Sequence, residues 1–124
     1  MYMPAFGDRI EIDRVIYKHW ALSLGGNKVM HFSSAGSVAT ILTQELHVVA
    51  GSSRFRINNR DDHFHFGSLD WPTRQKVQAN ISEFQKLYPK YYLLKNNCEC
   101  FVNYARYGES YSAQTGWRCN SCSM

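Results

Sequence analysis

Apolar and polar positions alternate strictly in the first third of the chain and give way to helical spacings toward its end. Ile10 and Ile12 alternate with Arg9, Glu11 and Asp13, the period-two signature of a half-buried strand. A second strand is predicted from about Tyr17 to Leu24. Its Tyr17, His19, Ala21 and Ser23 share one face, and Lys18, Trp20, Leu22 and Leu24 the other. Gly25-Gly26-Asn27 reads as a turn and Lys28 to Phe32 as a third strand. Loop length decides where His31 points. A two-residue loop pairs His31 with Trp20 or Leu22, away from His19. A three-residue loop, with Gly26 or Asn27 left-handed, pairs it with Ala21. The second register brings the two histidines to one face at a diagonal distance of ~7–8 Å.

Further along, Ser33 to Ser37 is predicted as a small-residue loop, and Val38 to Thr43 is apolar without a decisive period. Glu45 to Val49 is expected as a strand, and Phe55 and Ile57 as another. His63-Phe64-His65-Phe66 alternates again after a polar turn. Asp70 and Pro72 open a predicted helix with Val77, Ile81 and Phe84 on one stripe, closed by Pro89. Tyr91 to Leu94 reads as a last strand. Asn97 then caps a helix whose Cys98, Phe101, Val102 and Ala105 fall at i, i+3, i+4 and i+7, with Arg106 and Gly108 at its end. After Gly108 no apolar period remains, and a loosely held polar tail is expected. The sum is an α+β fold, an antiparallel sheet with two helices, in one domain over residues 1–109 followed by a polar tail over 110–124.

Composition narrows the function classes. Hydrophobic content of 44% and a mean hydropathy of −0.41 describe a globular chain and exclude a disordered one. A formal charge of +4 is far from the basic footprint of a nucleic-acid binder. Four cysteines are too sparse for a secreted disulfide framework, and neither a leader pattern nor a run of 18 apolar residues occurs. The expectation is a reduced, cytoplasmic, soluble domain.

The candidate chemistry is carried by Cys98. At the first turn of a helix, unpaired amides and the helix dipole favour a thiolate, while Glu99 beside it raises the thiol pKa. A lone cysteine needs a histidine, and His19 with His31 can supply it. A zinc module from Cys98-x-Cys100 and Cys119-x-x-Cys122 fits poorly, because one intervening residue inside a helical turn does not suit tetrahedral zinc. No metal and no cofactor are expected.

These residues also carry a resemblance. Gly7-Asp8-Arg9-Ile10-Glu11-Ile12, Tyr17-Lys18-His19-Trp20-Ala21-Leu22 and Val29-Met30-His31-Phe32 resemble the histidine box of the lecithin:retinol acyltransferase-like proteins. Asn97-Cys98-Glu99-x-Phe101-Val102 resembles their Asn-Cys motif. Val49-Ala50-Gly51-Ser52, Ile57-Asn58-Asn59 and Arg106-Tyr107-Gly108 are similar to the H-Ras-like suppressor branch, the phospholipase A/acyltransferases. The match runs from about Pro4 to Glu109. It implies a permuted papain-like cysteine hydrolase fold and a thiol-dependent phospholipase A/acyltransferase acting on glycerophospholipid esters through an acyl-Cys98 thioester. Cys98 would be the nucleophile, His19 its base and His31 the group orienting His19. The Cys98 main-chain N–H and the Tyr17 hydroxyl are candidate oxyanion donors. Two departures stand out: Cys100 replaces the family's His, and the chain stops in a polar segment where relatives carry a hydrophobic anchor.

Competing expectations are a non-catalytic interaction protein, as with viral chains bearing similar motifs, and a papain-like peptidase. The expected partners are a phospholipid substrate and a peripheral membrane surface, with no nucleic acid and no obligate protein partner. The aromatic stretch from His63 to Trp71 either fills the core or, with Trp71 exposed, meets the headgroup region. Arg54, Arg56 and Arg60 nearby would attract anionic lipid.

Overall fold

The computed structural model describes residues 3–14, 18–35, 38–59, 73–87, 91–92, 98–108, 111–112 and 117–118. Strands β1 (Arg9–Asp13), β2 (Lys18–Ser23), β3 (Lys28–Ala35), β4 (Val38–Glu45), β5 (Phe55–Ile57) and β6 (Tyr91–Tyr92) make one sheet in the order β5-β1-β2-β3-β4-β6. All of its pairings are antiparallel, as the alternation predicted. Two cores follow from that alternation, one on each face. Ile10, Ile12, Ala21 and Val29 pack with Leu46, Val49 and Ala50 of the short helix α1 (Leu46–Ala50). Trp20, Leu22 and Phe32 pack with Val77, Ile81 and Phe84 of α2 (Arg74–Leu87) and with Phe101, Val102 and Ala105 of α3 (Cys98–Tyr107).

The β2–β3 turn settles the register question. Leu22 lies opposite Met30 and Ser23 opposite Val29. The Leu24 N–H donates to the Lys28 carbonyl at 2.9 Å, leaving Gly25-Gly26-Asn27 as the connection. Gly25 and Gly26 take φ of 86° and 59°, which glycine adopts at little steric cost. One step further along this register, His31 faces Ala21.

Several sequence expectations are corrected. Residues 46–50 are helical where Glu45 to Val49 was expected as a strand. Leu46, Val49 and Ala50 are the buried positions, a helical spacing that a five-residue window cannot distinguish from alternation. Arg14 fastens this helix by donating to the carbonyls of Val49 (2.8 Å) and Ala50 (3.1 Å) and to Ser53 Oγ (2.9 Å). Strand β3 continues through Ser33 to Ala35, where a loop was expected, because β4 pairs with it along its full length. Helix α2 is capped by Thr73, whose Oγ1 accepts from the Lys76 N–H at 3.1 Å; Asp70 and Pro72 lie outside the described residues. Within the expected loose tail, β7 (Tyr111–Ser112) and β8 (Trp117–Arg118) pair antiparallel. Cys100 is fully buried and disulfide-bonded, so the expectation of an all-thiol chain fails there. Its sulfur is thereby unavailable as a thiolate ligand for zinc.

Candidate active site

His19 and His31 stand on neighbouring strands on the same face of the sheet. His19 Nε2 and His31 Nδ1 are 3.0 Å apart, with the rings nearly perpendicular at 87°. His31 is buried, and its Nε2 lies 2.6 Å from Gln44 Oε1 of β4. From the sequence the pair was one outcome of two loop lengths left open, and the three-residue loop is the one observed. Gln44 was not visible there, because the period of Val38 to Thr43 was undecided and the expected strand began only after it. Burial, the neighbouring His31 ring and the Arg14 guanidinium push the His19 pKa down to about 4. His19 is therefore neutral at neutral pH, the form that accepts a proton.

Cys98 is the first residue of α3, and only its main chain is described. Side-chain anchors hold the helix to the sheet. Near its C-terminus, Arg106 donates to the Gly7 carbonyl at 2.9 Å, and Gly7 donates to Ser23 at the end of β2. Nearer its start, Asn103 and Glu99 receive Arg9, which pairs with Leu22. Helix α3 covers the Trp20 face, whereas His19 belongs by alternation to the other. Tyr17 lies outside the described residues, as do Asn97 and the stretch His63 to Trp71.

Glu99, expected to oppose a thiolate, is neutralised. Its carboxylate is 2% exposed and 3.1 Å from the Arg9 guanidinium, itself 1% exposed. Arg9 also donates to Asn103 Oδ1 at 2.5 Å and lies over the Trp20 ring. A cleft of about 350 Å3 lies at the edge of the sheet, lined by Glu11, Asp13, Lys18, Arg54, Phe55 and Arg56. Its carboxylates are matched, Lys18 to Asp13 at 2.8 Å and Arg56 to Glu11 at 2.5 Å. Among the described residues no cluster of histidine, cysteine and carboxylate is arranged to hold a metal.

The class defined so far is an antiparallel α+β domain that pairs two histidines on its sheet and opens a docked helix with cysteine. Comparison with known proteins narrows this class. The family model described as lecithin retinol acyltransferase matches residues 3–111, and the chain belongs to that family. It is 36% identical over 126 residues to human phospholipase A and acyltransferase 2, covering 90% of this chain and 75% of that one. Identity to rat phospholipase A and acyltransferase 1 is 40% over 128 residues, covering 90% and 72%. Identity to human phospholipase A and acyltransferase 3 is 34% over 126 residues, covering 90% and 75%.

Proposed function

We propose that the chain is a cysteine-dependent phospholipase A/acyltransferase acting on glycerophospholipids at a membrane surface. The observation that carries this reading is the His19–His31 pair, 3.0 Å apart on one face of the sheet, in a chain whose helix α3 opens with Cys98. The names of the relatives supply the substrate class. His19 takes the proton of the Cys98 thiol, and the thiolate attacks an ester carbonyl of the lipid. The oxyanion is met by the Cys98 main-chain N–H at the helix start and by the Tyr17 hydroxyl. As the tetrahedral adduct collapses, the lysophospholipid oxygen leaves with the proton from His19, and the acyl group remains on Cys98 as a thioester. Water then completes a phospholipase turnover, or an amine or lysolipid completes an acyl transfer. His31 orients His19. The placement is cytoplasmic and peripheral on membranes, which requires the Cys100 disulfide to be open in the cell. Trapping by rapid alkylation reads that state.

The test is intact-mass spectrometry after incubation with phospholipid. An adduct of one acyl chain on Cys98, lost in Cys98→Ala together with lysophospholipid release, is the expected result. Equal product formation by Cys98→Ala, or acylation elsewhere, would overturn the proposal.

A further inference from the structure

Gln44, among the described residues, meets the far end of the histidine chain, with its Oε1 2.6 Å from His31 Nε2. We infer that Gln44 is a positioning residue: its amide oxygen fixes the tautomer of His31 and, through it, leaves Nδ1 of His19 as the atom that accepts the thiol proton. The inference rests on the functional reading above for the identity of the thiol.

A neutral imidazole carries one N–H, so each contact in the chain dictates the next. The Gln44 Oε1 atom 2.6 Å from His31 Nε2 can only accept, so Nε2–H of His31 donates to it. His31 Nδ1 then bears a lone pair and accepts from Nε2–H of His19, 3.0 Å away. With its proton on Nε2, His19 offers Nδ1 as its basic atom. The opposite amide orientation reverses every step. Gln44 would donate, His31 would carry Nδ1–H, and His19 would hold its proton on Nδ1, unable to take another there. An amide suits the task for a second reason. It carries no charge, so it sets the tautomer without drawing a proton onto His31 as a carboxylate would.

The balance of the transfer is simple. The Cys98 S–H bond breaks, its electron pair stays on sulfur, and its proton forms the Nδ1–H bond of His19. The resulting imidazolium still donates Nε2–H to His31. His31 and Gln44 stay neutral, and the same proton later leaves with the lysophospholipid oxygen.

Long-range proton–nitrogen correlation spectra of the full, nitrogen-15-labelled chain at neutral pH read the tautomers without substrate. The wild type should show Nε2–H on both His19 and His31. Gln44→Leu should populate Nδ1–H on His31 and lower kcat about tenfold, the equivalent of one lost hydrogen bond, with KM little changed. Gln44→Glu, an acceptor of the same length, should restore Nε2–H on His31 but only part of the rate, because its charge also draws a proton onto His31. If Gln44→Leu does not fold, Gln44→Met, unbranched and apolar, serves in its place. Nδ1–H on His31 in the wild type overturns the inference. So does a Gln44→Leu protein that keeps both the tautomer and kcat, or one that changes tautomer with no change in kcat. A missing acyl adduct on Cys98 sinks the functional reading instead, and leaves the tautomer result standing on its own.

Discussion

At the scale of single residues, the His19–His31 contact makes two chemical roles inseparable. His19 is held neutral by burial, by His31 and by Arg14, and its pKa falls from 6.5 to about 4. The unfolded chain therefore binds more protons than the folded one between these values. Stability contributed by neutral His19 is complete above pH 6.5 and is lost as pH falls toward 4. Urea midpoints measured across that range should decline in the wild type and decline less in His19→Gln; parallel curves would mean that His19 is not the titrating group. In turnover, His19→Ala should lose about 100-fold or more, the usual share of a general base. His31→Ala should lose less, and the double variant no more than His19→Ala, because the two act as one unit. Kinetics of the four proteins check this, and additive losses would separate the pair. The pair was half legible in the sequence, which left two loop lengths open and brought the histidines together in only one of them. Arg14 and Gln44 were not legible, because their contacts span strands and a helix that no local period reveals.

At the scale of elements, α3 is held by charge as well as by its apolar stripe. Phe101, Val102 and Ala105 pack where the sequence placed them. The same helix buries Glu99 and Asn103, which local periodicity marked only as polar, because Arg9 enters from β1 to meet both. A carboxylate at this depth is tolerable only when paired. Arg9→Ala should therefore destabilise the fold by about 3–5 kcal/mol, through the unpaired Glu99 charge as much as through lost packing. Arg9→Met combined with Glu99→Leu should recover most of that loss. Urea denaturation of the two proteins decides the matter; a mild effect of Arg9→Ala would place the pair closer to water than the fold implies. The same contact bears on chemistry, since a compensated Glu99 exerts little field on the neighbouring thiol. Helix α1 is the opposite case, an element misread from sequence. Its five residues are too few for a period, and its end is set by Arg14, more than 30 residues away in sequence.

At the scale of the whole molecule, a lipid substrate demands that the site be brought to a membrane. No helix among the described residues is long and apolar enough to cross one, and the surface offers a candidate contact. On edge strand β5, Phe55 is 45% exposed and is flanked in sequence by Arg54 and Arg56, both exposed. Arg56 is committed to Glu11, whereas Arg54 lends its charge to the neighbourhood of Asp13. An aromatic ring between cations suits the headgroup layer of an anionic bilayer. Each basic residue near such a surface contributes about 1 kcal/mol, falling off within a Debye length. A few such residues give reversible, salt-sensitive binding, short of stable anchoring. Sedimentation with vesicles should therefore show binding that rises with the fraction of anionic lipid and falls as salt is raised. Arg54→Glu, at an exposed position, should weaken it about tenfold or more by reversing one charge, with no change in thermal stability. The same assay on Trp71→Ala asks whether the aromatic stretch between β5 and α2 shares the contact. Binding indifferent to lipid charge, to salt and to Arg54 would show that this surface does not meet the bilayer.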